Sequence, residues 1–527
     1  MATTRLSPAQ RWPELARIPH PPRRVPVLGD VLGVSLATPV QDSTRLAREL
    51  GPVFRRKVFG TEIVFVSGAD LVGELCDETR FLKYVTLAVQ TLRKVGGDGL
   101  FTAYSNEPNW QRAHDILAPA FTQSSMRRYH PTMLAMAHRL MGSWDEHARV
   151  GTAVDVSGDT TKLTLETIAN TGFGYDFGSF EREEPHPFVT SMVTGLQSAM
   201  KMRVAALPVV GRHLGRRVLQ SFSEHSDFLH ATVDKVINER VAREDPSTDD
   251  LLGLMLNTAQ PATGERLDLV NIRHQVITFL VAGHETTSGA LSFALYYLAR
   301  HPEIRRRAQE EVDRVWGPTG DPTYEQVSKL RYVRRVLDES LRLWPTAPAF
   351  TRAARQDTVL GGRYPMLKGA SALVLVTALH RDPVWGPDVE TFDPDRFLPE
   401  RVRARPGHVF KPFGTGERAC IGRQFALHEA TLVLGLLLRR YDLHDHAGYQ
   451  LKVAERLTLM PEGFTLTLTR RTPAAPAQAE APAERVAPAR TEAQVKAPAE
   501  TVPAARAGEQ DESGDPGPAV GCPVHTG

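Results

Sequence analysis

Cys420 stands in the run Phe413-Gly414-Thr415-Gly416-Glu417-Arg418-Ala419-Cys420-Ile421-Gly422, which puts a thiol, a guanidinium, an aromatic ring and three glycines side by side. A lone cysteine is most often a small buried hydrophobe. Here its neighbours favour chemistry. Glycines at 414, 416 and 422 permit backbone conformations closed to other residues, and their missing side chains let a flat ligand approach the main chain. A thiolate in such a loop needs hydrogen-bond donors and a nearby cation to stay deprotonated. The amides that open the helix from Arg423 onward, together with Arg418, are expected to supply both.

A thiolate of this kind can ligate haem iron, where it pushes electron density toward dioxygen and favours O–O cleavage. The loop resembles the haem-binding signature of the cytochromes P-450 at Phe413, Gly416, Arg418, Cys420 and Gly422. The resemblance implies that Cys420 is the axial ligand of haem b. It also implies that Arg418 pairs with a haem propionate and that Phe413 packs beside the sulfur. A second run, Ala282-Gly283-His284-Glu285-Thr286-Thr287, matches the oxygen-binding helix of the same family. Thr286 follows Ala282 by four and Gly283 by three, so the three share one helical face, small enough for haem and dioxygen to lie against it. Taken alone, small residues in an apolar helix more often mean close packing than catalysis. Beside the cysteine loop, Glu285 followed by Thr286 is expected to relay protons from solvent to dioxygen.

Two further groupings gain a role from the resemblance. Trp110 and His114 lie four apart on a helix that in the family stands at the haem propionates, the alternative being a core tryptophan and a surface histidine. Glu339 and Arg342, three apart, match with Arg396 a Glu-Arg-Arg network. The plain reading is a solvated ion pair worth little. The family reading is a buried bidentate network that fixes the segment leading to the cysteine loop. Cys76 and Cys522 carry no ligand pattern, and Cys522-Pro523 resembles a dipeptide of haem-regulated proteins.

The elements that must position these groups are mostly helical. The chain has 527 residues, 42% hydrophobic and 24% charged, with net charge +2, an ordinary composition that gives no argument for a nucleic-acid partner. Three scattered cysteines make no disulfide framework, so a reducing cytoplasm is expected. Residues 1–24 lack the apolar core of a signal peptide. Val276 to Ala299 could pass for a membrane span, but His284 and Glu285 in its middle favour a buried core helix. A cytoplasmic protein without a transmembrane anchor is therefore expected. Helices are predicted at Asn109–His114, Thr164–Thr171, Asp227–Arg243, Asp249–Asn257 and Val276–Ala299, and strands around Val53–Phe54, Ile63–Val66, Thr346–Phe350, Ala372–Val376 and Leu457–Leu468. A proline-rich lead-in over 1–44, one globular unit over 45–471 and a disordered Ala/Pro/Glu-rich tail over 472–527 are the expected divisions. The expected fold is mostly α with a small β region, the cytochrome P-450 fold, as a single large helical domain around a buried haem.

Within the family the chain resembles the haem domain of self-sufficient fatty-acid hydroxylases fused to a flavin reductase, over roughly Arg45 to Arg471. The likeness is carried by runs such as Asp98-Gly99-Leu100-Phe101, Leu343-Trp344-Pro345-Thr346-Ala347-Pro348-Ala349-Phe350 and Gln424-Phe425-Ala426-Leu427-His428-Glu429-Ala430. It implies Phe101 as a gate over the haem, and Val89, Leu92, Ala349 and Leu457 as lining of an apolar channel, with Ala282 facing the open side of the iron. Aliphatic lining suits a long acyl chain. No flavodoxin-like or nicotinamide-binding segment follows Arg471, so electrons from NAD(P)H are expected through a ferredoxin or flavodoxin with its reductase in trans. The positions that hold the fatty-acid carboxylate in the relatives read Thr61 and Phe65 here, which leaves Arg55, Arg56 or Lys57 as substitutes and favours weak selection of the acid group. Rival readings are a P-450 of specialised metabolism acting on a terpene or polyketide, and a non-catalytic haem sensor, which would need no Glu285-Thr286 pair.

Overall fold

The long apolar run in the middle of the sequence folds as one 32-residue helix, Leu269–Arg300, about 48 Å from end to end. Its start is fixed by Asp268, whose side chain accepts the Asn271 amide at 2.7 Å. Apolar residues on nearly every side leave it no solvent face, so it is buried and the remaining elements gather around it. In the computed structural model, which describes residues 7–26, 28–32, 35, 37–58, 60–195 and 211–471, the elements around the site run in this order. Helix α1 (Pro39–Leu50) precedes strands β1 (Val53–Val58), β2 (Thr61–Val66) and β3 (Phe81–Lys83). Helices α2 (Leu87–Gly96), α3 (Pro108–Leu117), α4 (Gln123–Val150) and α5 (Val156–Phe173) follow, then α6, the Leu269–Arg300 helix, and α7 (Arg331–Leu343). Strands β4 (Ala349–Ala354) and β5 (Ser371–Leu375) complete a sheet before the cysteine loop and helix α8 (Arg423–Arg440).

The sheet has the order β1-β2-β5-β4-β3, antiparallel except for the β2–β5 pair. Strand alternation splits its side chains between two clusters. Val53, Val64, Val66 and Val374 pack on one face, and Phe54, Phe65, Ile63 and Leu373 meet α1 on the other. The large helical core holds α4 to α8 together. Where α5 crosses α6, a Cβ on Gly283 would lie 3.2 Å from Ile168, and the Thr164 hydroxyl donates to the His284 carbonyl at 2.8 Å.

The expected fold class, mostly helical with a small β region in a single helical domain, is the one observed. Several boundaries differ for local reasons. The strand expected from Thr346 begins at Ala349, because Pro345 and Pro348 offer no N–H to a ladder. The helix expected from Asp249 begins at Leu251, since Asp250 caps it by accepting the Gly253 amide at 2.7 Å. The lead-in over 1–44 is not separate in packing: Trp12 and Ile18 are buried against the sheet, and α1 runs through residue 44. The tail expected over 472–527, with Cys522, lies outside the described residues.

Candidate active site

The cysteine loop turns twice through left-handed backbone, at Gly414 (φ +73°) and Gly416 (φ +65°), before its end is tied back by the Cys420 amide on the Phe413 carbonyl at 2.9 Å. A side chain at Gly416 would collide with the Glu78 carboxylate, which accepts the Glu417 amide at 3.0 Å. Gly416 therefore serves the turn and this contact, and it does not line the cavity as a ligand-binding residue would. Gly422 does line it, and a Cβ there would stand 3.9 Å from both the Cys420 sulfur and the Phe121 ring.

The Cys420 thiol is open on one side to a cavity of about 310 Å³ and enclosed by the loop and α8 on the others. Burial pushes the thiol up, while the Gly422 amide and the Arg423 guanidinium favour the thiolate. The cation acting on the sulfur is thus Arg423, not Arg418 as the sequence suggested. Arg418 reaches across to another part of the wall. Its guanidinium lies 4.5 Å from the Trp110 ring centre and donates to the carbonyls of Leu100 and Ala103 at 3.2 and 2.8 Å. Trp110 in turn stacks on His114, with ring centres 5.2 Å apart, and both line the cavity with Phe413.

Opposite the cysteine, α6 presents Ala282, Gly283 and Thr286 to the same cavity, as the helical spacing predicted. The Thr286 hydroxyl donates to the Ala282 carbonyl at 2.8 Å. Glu285 turns away. It is buried, one carboxylate oxygen accepting from the Thr458 hydroxyl at 3.1 Å and the other without a partner.

A second cavity of about 400 Å³ is lined by Val89, Leu92 and Leu457 and shares Phe101, Ala282, Thr286 and Ala349 with the first. Every pocket residue expected from the sequence thus lies on this connected space. Phe101 stands at the junction, 43% exposed.

Lys83, at the end of β3, was missed. It lines both cavities, donates to the Phe101 carbonyl and sits 4.9 Å from the Phe101 ring centre, and burial beside Arg418 pulls its ammonium down to about 7. A lone lysine in Phe81-Leu82-Lys83 carries no local signal that would mark it.

Glu339 and Arg342 on α7 form the bidentate pair, both side chains fully buried, with two contacts of 2.7 Å. The surface reading is excluded. Arg342 also donates to the carbonyls of His380, Val389 and Thr391, and Arg396 lies 3.5 Å from Glu339 while donating to the Trp385 and Asp388 carbonyls. Burial raises the Glu339 carboxyl, opposed by Arg342, the Asp393 amide and Arg396.

These residues fit a haem. The cavity between Cys420 and α6 is walled largely by apolar groups with one thiol, and Lys83 and Arg418 are among its lining residues. Arg418 keeps one guanidinium nitrogen buried without a partner, and Lys83 sits beside it, as two propionates would require.

Comparison with known proteins agrees with this geometry. The family model described as Cytochrome P450 matches residues 19–468. The bifunctional cytochrome P450/NADPH–P450 reductase 2 of Bacillus subtilis is 50% identical over 437 residues, 82% of this chain and 41% of that protein. A bifunctional cytochrome P450/NADPH–P450 reductase of Bacillus cereus is 47% identical, over 87% of this chain and 42% of its own length. A self-sufficient cytochrome P450 monooxygenase of Penicillium expansum is 41% identical, over 85% and 43%. The chain spans about two fifths of the length of the curated relatives it matches. Among the described residues no helix is long and apolar enough to cross a membrane.

Proposed function

The chain belongs to the cytochrome P450 family, and from that premise we propose a haem-thiolate monooxygenase that inserts one atom of dioxygen into a C–H bond of an apolar substrate. Fatty acids are the proposed substrate class, hydroxylated near but not at the methyl end. Electrons from NAD(P)H are proposed to arrive through a ferredoxin or flavodoxin with its reductase in trans. One observation carries the reading: a cavity that ends on a thiol opens, at Phe101, into a second cavity with a mainly apolar wall.

The haem, when bound, supplies the activation of dioxygen and the oxidising power for C–H attack. The protein supplies the rest. Cys420 would supply the sulfur that holds the haem iron, with the Gly422 amide and Arg423 favouring its anionic form. Arg418, Lys83, Trp110 and His114 are proposed to hold the propionate edge. Thr286 keeps its own proton on the Ala282 carbonyl, which leaves lone pairs of its oxygen to accept from a donor in the cavity. Glu285 is proposed as the acid of the relay, its free carboxylate oxygen being the one not engaged by Thr458. Val89, Leu92 and Leu457 exclude water and align an acyl chain. The Phe101 ring at the junction keeps the terminal carbon from the centre of the site, so attack falls on carbons just behind it.

The test is to incubate the reconstituted protein with laurate or palmitate, a redox partner and isotopically labelled dioxygen. One labelled oxygen atom in a subterminal hydroxy acid is the expected product. The reduced protein should give a thiolate-type carbon monoxide spectrum that Cys420→Ala abolishes. A full spectrum in Cys420→Ala, or reduced protein that binds carbon monoxide but consumes no dioxygen with any substrate, would overturn the proposal, the second in favour of a haem sensor.

A further inference from the structure

We propose that His274 is a positioning residue for Phe101: its hydrogen bond to Asp98 fixes the loop that carries the ring, and so sets which carbon of the substrate is attacked. The inference rests on the fatty-acid reading above and adds the residue that tunes its regiochemistry. Phe101 needs such a device because packing does not place it. Its ring belongs to none of the described hydrophobic clusters and stands exposed at the junction of the two cavities. The contact described for the ring is the Lys83 ammonium. Its position therefore follows chiefly from the backbone of Gly97-Asp98-Gly99-Leu100-Phe101.

That backbone is fitted to α6. His274 Nδ1 donates to the Asp98 carboxylate at 2.7 Å, and the same carboxylate accepts from the side-chain amides of Asn271 at 2.9 Å and Asn109 at 2.7 Å. Burial pushes the Asp98 carboxyl up, but the hydrogen bonds from Asn109 and His274 hold it below its usual range. It therefore stays an acceptor-only carboxylate, and His274 Nδ1 carries the proton between them. The loop also comes close enough to the helix that glycine is required. At Gly97 (φ +46°) a Cβ would fall 2.1 Å from His274 Cε1, and the three atoms nearest to it all belong to that ring. At Gly99 a Cβ would fall 2.2 Å from the Thr278 hydroxyl and 2.8 Å from the His274 carbonyl. One residue further on, the Leu100 amide donates to Gln275 Oε1 at 2.9 Å. His274 thus meets the loop through its ring and its Nδ1, three residues before Phe101. The Asp98 and His274 side chains are partly shielded from water, which strengthens the bond between them.

The experiment compares the wild-type protein with His274→Phe, which keeps a ring against the turn without the donor, and with His274→Asn, whose amide nitrogen can stand where Nδ1 does. Two quantities are read on haem-loaded protein. One is the distribution of hydroxyl positions on palmitate, and the other is amide hydrogen exchange over residues 96–103, which needs no turnover. His274→Phe is expected to change the ratio of the two leading products and to speed exchange of the loop, each by about two- to ten-fold, the span that one hydrogen bond sets. His274→Asn should return both toward the wild type. An unchanged product ratio in His274→Phe overturns the proposal, even where the loop exchanges faster, and leaves the fatty-acid reading standing. A change that His274→Asn does not reverse also overturns it, as loss of packing only. If His274→Phe fails to hold haem, Asp98→Asn weakens the same bond from the other side; it is expected to shift the product ratio, and an unchanged ratio overturns the proposal. If the wild-type protein hydroxylates no fatty acid, the substrate reading itself falls and the positioning role with it.

Discussion

Glu285 and Thr286 are adjacent in the chain yet serve different surroundings, because successive helical residues point about 100° apart. Thr286 faces the cavity and bonds back to Ala282, whereas Glu285 is buried against Thr458. A relay through them needs movement of Glu285, and Thr286 is the group in place at all times. Thr286→Ala removes that hydroxyl and keeps a small side chain where the residue lines both cavities. Substrate affinity is expected to stay within about two-fold, since no substrate contact is lost, while the proton-dependent step slows by on the order of 10²-fold. Reducing equivalents should then appear as peroxide. Measuring product formed per NAD(P)H consumed checks this, and an unchanged ratio would remove Thr286 from the relay.

Helix α7 shows how an element can act at a distance from the chemistry. Its Glu339 and Arg342 touch neither cavity, but Arg342 collects the carbonyls of His380, Val389 and Thr391, and Arg396 collects those of Trp385 and Asp388. Chain with little regular structure is thereby pinned on its way to the cysteine loop. Arg342→Ala leaves a buried carboxylate and three carbonyls without their donor, a loss of about 3–5 kcal/mol for breaking such a pair. The variant is expected to melt well below the wild type and to take up haem poorly. Haem-to-protein ratio and melting temperature, read together, check it; normal haem loading at a normal melting temperature would contradict the assembly role.

For the whole molecule, stability has a pH dependence set in part by His380. This ring links the network to the loop: Nδ1 donates to the Arg342 carbonyl at 3.0 Å, and Nε2 accepts the Lys411 amide at 2.9 Å. Burial brings it from the usual 6.5 to about 3. Between those values the unfolded chain binds a proton that the folded one refuses, so stability falls as pH drops through that window and is fully present above it, with a slope of at most about 1.4 kcal/mol per pH unit from this group. His380→Gln, which does not titrate, should lower the melting temperature at neutral pH and flatten its fall below pH 6.5. Parallel melting curves of the two proteins against pH would contradict the assignment.

The sequence by itself determined the family and the site's chemistry, because these rest on local spacing. Five positions around Cys420 and the small face of Ala282, Gly283 and Thr286 are each set within one turn or one loop, so residue types suffice to read them. The helices and the sheet were legible as periodicity, with ends misplaced where prolines or an aspartate cap decide them. What the tertiary structure alone decided are meetings between distant segments. Arg418 finds Trp110 and leaves the sulfur to Arg423; Lys83 arrives at the cavity from a strand end; Gly416 yields to Glu78 from far upstream. Arg55, Arg56 and Lys57 are indistinguishable as a charged run. Only the pairing of β1 with β2 and the packing of α1 on the sheet send Arg56 to the Phe65 face, beside Ser43, and Arg55 to Glu62 on the other. Spacing along a chain encodes which side a residue takes, and packing against another segment decides what that side meets.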